Sequence, residues 1–189
     1  METSFRLDPV RYTGRPQEER EPIEQRCYDF LDSLGVAYDR VDHDAAFHIE
    51  TCHAVEEVLE APIAKNLFLC NRQRTQFYLL LLEGDKVFKT KYLSSQLGCS
   101  RLSFAPEEDL QERLGVQPGS ASLLGLLQDP ENRVKLVIDK PLLSQKWLGL
   151  HPCKNTSTLR IDMKTALEQV IPALGHEPAF VELPVEEEA

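Results

Sequence analysis

The sequence has no apolar run long enough to cross a bilayer, which takes about 20 residues. Leu67–Leu69 and Leu79–Leu82 are far shorter and read as buried strands. The opening Met-Glu-Thr-Ser-Phe-Arg-Leu-Asp lacks the apolar centre of a secretory signal. Both absences predict a cytoplasmic chain without a membrane partner. There is also no C-x-x-C. The cysteines, Cys27, Cys52, Cys70, Cys99 and Cys153, are odd in number and scattered, which fits reduced thiols rather than a disulfide scaffold. Neither G-x-G-x-x-G nor G-x-x-x-x-G-K-[ST] occurs, so common dinucleotide and P-loop sites have no support. Ser120 and Ser122 do not sit in G-x-S-x-G, and no cysteine has a local partner, so nucleophilic catalysis has little support. No internal repeat is present.

What is there suffices for one domain. Of 189 residues, 42% are apolar, enough for a true core. Residues 1–20 read as a loosely held arm, 21–184 as the folded domain and 185–189 as an acidic tail. The net charge of −10 is unevenly spread. Lys65 to Arg101 carries +5 and the remainder −15, with acid collected near both ends. Overall acidity argues against DNA. The basic belt reads either as a seat for a small, specific piece of RNA or as a sheet edge whose cations discourage aggregation.

Local patterns give the elements. Pro22 opens a helix in which Ile23, Cys27, Phe30, Leu31 and Leu34 recur at helical spacing, and Gly35 stops it. Val36–Asp42 is a short strand, and Thr51 can cap a helix through Leu59. Ala64–Asn71 and Gln76–Leu82 are apolar strands, joined by polar Arg72–Thr75 as a hairpin. Thr90–Leu97 is a helix ended by Gly98, Leu102–Phe104 a brief strand, and Pro106 opens a helix through Leu114. Leu123–Leu127 is a helical turn. Arg133–Ile138, Trp147–Leu150 and Ser157–Ile161 are strands. Asp162 caps a last helix through Leu174, with Pro172 near its end, and Ala179–Leu183 adds an edge strand. The order is mixed α/β without regular strand–helix alternation.

Four features could carry chemistry. Gly115–Gly125 holds three glycines, a proline and two serines between apolar blocks. Such a loop is either a plain connector or a backbone cradle whose N–H groups meet an anion or a developing oxyanion. Lys65 begins an apolar strand, where it either meets solvent or projects a point charge into a cleft. His151, held extended by Pro152, is either a backbone-bonded, partly buried histidine or a proton-handling group. His43, His48, Cys52 and His53 cluster in sequence. A zinc shell needs about four convergent ligands, and no second ligand pair is evident, so no metal or cofactor is expected.

Together these segments resemble the YbaK/ProX family of prolyl-tRNA editing deacylases over residues 23–183. The matching residues are Leu34-Gly35-Val36-Ala37-Tyr38, His43, the Thr51–Leu59 helix and Ala64-Lys65-Asn66-Leu67-Phe68-Leu69. Leu114-Gly115-Val116 through Pro118-Gly119-Ser120-Ala121-Ser122, and His151-Pro152 followed by Asn155-Thr156-Ser157-Thr158, complete the match. One departure is visible. Many relatives place a proline four residues after the loop glycine, where this chain has Leu123.

The resemblance implies a compact α/β domain with a curved mixed sheet and flanking helices. It implies hydrolysis of the ester on wrongly charged tRNA(Pro), with the Lys-Asn-Leu-Phe-Leu strand closer to the alanyl-specific branch. It implies that the neighbouring ribose hydroxyl assists, which accounts for the missing triad. By matching position, Lys65 holds the tRNA 3′ end, Gly119 shapes the ester site and His151 lines the pocket. Ser120, Ala121, Ser122, Asn155 and Thr156 are then expected against the substrate. The expected partner is tRNA(Pro) bearing a non-cognate amino acid, with prolyl-tRNA synthetase a further candidate. The alternatives are a deacylase preferring cysteinyl or seryl esters, a non-catalytic aminoacyl-tRNA-binding module, and a regulatory protein-interaction domain.

Overall fold

A computed structural model describes residues 4–186. The chain runs β1 (Tyr12–Thr13), α1 (Pro22–Ser33), β2 (Asp39–Asp42), α2 (Ile49–Leu59), β3 (Lys65–Asn71) and β4 (Phe77–Leu82). Next come α3 (Thr90–Leu97), β5 (Leu102–Phe104), α4 (Glu107–Leu114), a 3-10 helix (Leu123–Gln128) and β6 (Val134–Asp139). A second 3-10 helix (Lys140–Ser144), β7 (Trp147–Leu150) and β8 (Ser157–Asp162) follow. The last helical segment joins α5 (Met163–Thr165), a π-helical stretch (Ala166–Val170) and α6 (Ile171–Ala173), before β9 (Ala179–Val181). No helix among the described residues is long and apolar enough to cross a membrane.

The fold is the expected mixed α/β, but its strands divide between two sheets. One has the order β5-β3-β4-β6-β9, with β4–β6 and β6–β9 parallel and the other pairs antiparallel. The other, β1-β2-β8-β7, is wholly antiparallel. β4 is buried along its whole length because both sheet faces are covered. Its side chains alternate between faces. Phe77, Leu79 and Leu81 join the main core with Phe68 and Cys70 of β3. Tyr78, Leu80 and Leu82 join a second core with Leu93 of α3 and Val181 of β9. A third cluster packs Val55 and Leu59 of α2 on Val41 of β2.

The sheets meet at one close approach. Ile63 and Gly149 form a parallel bridge, in which Gly149 N–H donates to Pro62 O (3.1 Å) and Gly149 O accepts from Ala64 N–H (2.9 Å). A Cβ on Gly149 would lie 2.3 Å from Pro62 O, so only glycine fits. This junction puts the start of β3 beside the end of β7.

Several elements differ from the sequence reading. β2 begins only at Asp39, and α2 begins at Ile49 with His48 as its N-cap. Thr51 does not cap it; its hydroxyl donates back to His48 O at 2.7 Å, an i−3 bond from inside the first turn. Within the last helical segment the π-helical stretch precedes Pro172, whose missing N–H interrupts the regular ladder. Of the arm expected over 1–20, residues 4–20 form more contacts than a loose arm implies, and 1–3 lie outside the described residues. Leu7 bridges His43, Tyr12–Thr13 pairs with β2, and Arg15 bonds Asp29 (2.8 Å) and Gln25 (2.8 Å). Of the acidic tail, Glu186 reaches Lys89 and Tyr92, and 187–189 lie outside the described residues.

Candidate functional site

A cavity of about 430 Å³ opens where the sheets meet. Its walls are the 46–49 loop, one face of α2, the start of β3, Phe104–Ala105, the glycine-rich loop and His151. Lys65 stands two residues after the bridging Ile63, and His151 two after Gly149. One main-chain junction therefore brings together groups 86 positions apart in the chain.

Lys65 Nζ donates to Lys86 O at 2.7 Å. Burial pushes its pKa below the ordinary lysine value, opposed by the charge of Asp85. An ammonium has three donors, so with one fixed the others can face the cavity.

His151 Nδ1 lies 2.9 Å from Ser157 O, and a carbonyl can only accept, so Nδ1 carries the proton. Nε2 is left as the acceptor. Thr158 Oγ1 is 3.3 Å from the same Nδ1 and 2.8 Å from His43 Nε2, while His43 Nδ1 lies 2.7 Å from Asp44 O. The polar chain from His151 through Thr158 and His43 to Asp44 fixes both rings. Burial drives the His151 pKa down to about 4, with the nearby His43 lowering it further and the Ser157 carbonyl opposing. Burial also lowers His43.

His151 is thus neutral near pH 7, and among the described residues its Nε2 has no partner. Its folded pKa lies below the unfolded value of about 6.5, so between those values the unfolded chain binds the proton and the folded one does not. This contribution to stability is complete above pH 6.5 and is lost as pH falls toward 4. A His151 titration followed by NMR is expected to have its midpoint near 4, and the melting temperature should fall across that window. A midpoint near 6.5 would refute this account of the ring.

Gly119 has φ +83°, and the Phe47 ring covers it; a Cβ there would lie 2.9 Å from Phe47 Cε1. Gly119 and Ala121 line the cavity. Among the described residues their N–H groups meet no protein acceptor, whereas Ser120 N–H donates to Gln117 O at 3.0 Å. Both residues thus line the wall with N–H groups that no protein group among the described residues takes up.

The remaining expected substrate-binding residues sit elsewhere. Ser122 is fully buried; its hydroxyl donates to His151 O (2.6 Å) and accepts from Leu124 N–H (3.2 Å), so it ties the loop to the end of β7. Thr156 contributes its carbonyl to His43 N–H at 3.0 Å. Ser120 and Asn155 line a neighbouring recess that shares Phe47 and Pro118 with the main cavity. Asn155 Nδ2 is buried without a partner among the described residues, 3.6 Å from the Cβ position of Gly119. Phe47 and Pro118 thus separate this spare donor from the cavity.

Asn66 was legible in sequence only as part of the lysine strand. Its Oδ1 accepts from Leu123 N–H at 2.8 Å, and its Nδ2 donates to Ala64 O at 3.2 Å. Leu123 is the first residue of a 3-10 helix after extended Ser122, a place where proline also fits. Here the N–H that proline would lack clamps the glycine loop to β3. His43, His48, Cys52 and His53 do not converge. His43 is held by Thr158, and His53 pairs with Asp85 at 2.9 Å. Among the described residues no group of three or more such side chains could hold a metal ion.

Comparison with known proteins places the fold and the family. The model of the aminoacyl-tRNA editing domain matches residues 43–168, from the buried His43 to the helix after β8. Prolyl-tRNA editing protein ProX of Acetoanaerobium sticklandii is 32% identical over 153 residues, 81% of this chain and 93% of that protein. Prolyl-tRNA synthetase associated domain-containing protein 1 of Mus musculus is 30% identical over 168 residues, 87% of this chain and 96% of that one. The crystal structure of a candidate trans-editing enzyme for prolyl tRNA synthetase shares the fold. Its TM-score is 0.62 at 19% identity, covering 89% of this chain and all of that one. Lysine strand, glycine loop and His151 all fall inside the matched span, and the chain belongs to the aminoacyl-tRNA editing domain family.

Proposed function

We propose that this protein is a trans-editing deacylase that hydrolyses the ester of tRNA(Pro) charged with a non-cognate amino acid, alanine foremost. One observation carries the reading. One cavity is lined by a lysine donor, a histidine kept neutral by burial, and Gly119 and Ala121, whose N–H groups meet no protein acceptor among the described residues, within an aminoacyl-tRNA editing domain. An activated ester needs little more than a placed attacking group and a stabilised oxyanion. Lys65 holds the terminal nucleotide, and the N–H groups of Gly119 and Ala121 receive the carbonyl oxygen as charge develops. His151 Nε2 accepts a hydrogen bond from the amino group or from water. The ribose hydroxyl next to the ester assists the attack. Apolar Phe68 and Leu110 bound the cavity, so a small side chain enters more easily than a proline ring. A wall of this kind separates substrates by only about 1–3 kcal/mol per methylene, so some glycyl and seryl ester is cleaved too. Prolyl-tRNA synthetase is the natural source of the substrate and a candidate partner.

Deacylation of tRNA(Pro) charged in turn with alanine, cysteine, serine and proline tests the reading. Alanine should be released fastest and proline spared. Fast release of proline would defeat the editing function, and binding without release would leave a non-catalytic module. Lys65→Ala should lower the alanyl rate by at least about tenfold, or about 1.4 kcal/mol. Its melting temperature should be nearly unchanged, because among the described residues the Lys65 side chain makes a single hydrogen bond, to Lys86 O. Wild-type turnover by the folded variant would reject the role given to Lys65.

A further inference from the structure

The basic belt of the sequence is not used up by Lys65. Beyond the cavity mouth lies a shallow recess of about 770 Å³ lined by Phe88, Lys89, Thr90, Lys91, Ser94 and Arg101. Three cations face it, and among the described residues neither Lys91 nor Arg101 has a carboxylate within ion-pair distance. Lys91 Nζ instead stands 4.8 Å over the Tyr92 ring.

An aromatic step joins recess to cavity. Phe88 of the recess meets Phe104 of the cavity mouth edge-on, with centroids 6.3 Å apart. Phe104 is 60% exposed, so its ring is accessible for stacking at the junction of recess and cavity. The main chain links the two places as well, because Lys65 is bonded to Lys86 O, two residues before Phe88. The recess already attracts an anion: Glu186 reaches across to Lys89 and to the Tyr92 hydroxyl.

Cations that track a backbone, beside an exposed aromatic that can stack a base, are the chemistry of single-stranded RNA binding. We propose that this recess seats the phosphates of the unpaired nucleotides preceding the tRNA 3′ terminus. A base lies on Phe104, and the Glu186 carboxylate is a built-in competitor for the same cations. The inference rests on the editing function proposed above. It adds the path of the RNA outside the cavity and a contact that must be displaced on binding.

Binding of uncharged tRNA to the full chain, measured across a salt series, tests it beside single-turnover deacylation of Ala-tRNA(Pro). The double variant Lys91→Ala/Arg101→Ala should weaken tRNA binding at least about tenfold at low salt. It should flatten the slope of log K against log salt by about 1.4, at about 0.7 per single-strand phosphate contact. Single-turnover deacylation at sub-saturating enzyme should fall in step with the loss of binding. Glu186→Gln should tighten binding about two- to threefold, an effect that fades with salt. Unchanged affinity and slope in the double variant, with wild-type protein still deacylating Ala-tRNA(Pro), would overturn the recess alone. Wild-type protein that neither binds nor deacylates tRNA would overturn the recess and the editing function together.

Discussion

Gly119→Ala should leave the protein folded but cut single-turnover deacylation by about a hundredfold, or about 2.7 kcal/mol in the transition state. Gly119 holds φ +83°, a conformation that costs an L-residue about 1–2 kcal/mol. The new methyl would also lie 2.9 Å from Phe47 Cε1. Phe47 is 67% exposed, so its ring can swing away and the clash adds little to the loss of stability. The melting temperature should therefore drop by only a few degrees. The chemistry suffers more. The displaced ring and the added methyl both crowd the wall where the Gly119 and Ala121 N–H groups wait, and a small misplacement there is costly. Circular dichroism melts and single-turnover rates on the same preparation separate the two effects. A folded variant that deacylates at the wild-type rate would remove Gly119 from the ester site.

Ala-tRNA(Pro) ending in 2′-deoxyadenosine should bind like the ribo-form and hydrolyse more than about a hundredfold more slowly. The reason lies in what the cavity offers as a base. His151, with a pKa near 4, is a weak proton acceptor. Glu56 Oε1 accepts from Ile63 N–H at 2.8 Å, and Asp85 is paired with His53. Lys65, although its pKa is lowered by burial, is positioned as a donor by its bond to Lys86 O. His48 also lines the cavity and is the side chain that competes for this role; the hydroxyl beside the ester, already adjacent to the reacting carbonyl, is the group expected to activate the attack. Saturating enzyme removes differences in affinity from the comparison. Equal rates for the two tRNAs would mean that a protein side chain performs the activation.

Much of the site was legible because its parts are contiguous. The lysine strand, the glycine loop and His151-Pro152 each keep their character in a few neighbouring residues, and the structure brings Lys65, Gly119, Ala121 and His151 to one cavity. Other assignments depended on what each residue meets from afar. Ser122 and Thr156 look like polar loop residues in sequence. In the fold one braces His151 O and the other His43 N–H. Leu123, where many relatives have proline, read in sequence only as a departure from the family pattern. The N–H it restores is taken by Asn66, 57 residues away, and the clamp is visible only when both are placed.

By itself the sequence determined the local elements and the family. Turn residues 72–75 between two apolar runs dictate the β3–β4 hairpin, Gly98 and Gly115 end their helices, and Asp162 caps the helix after β8. These depend on steric preference and hydrogen bonding within a few residues, which the chain carries wherever it goes. Only the tertiary structure decided that the strands form two sheets, that residues 4–20 are tied to the domain, and that Lys65 and His151 line one cavity. It alone set the low pKa of His151 and laid Glu186 on the basic recess. Each of these follows from burial and from contacts between distant segments. The Ile63–Gly149 approach shows why: its 2.3 Å demand for glycine exists only once two remote main chains have met.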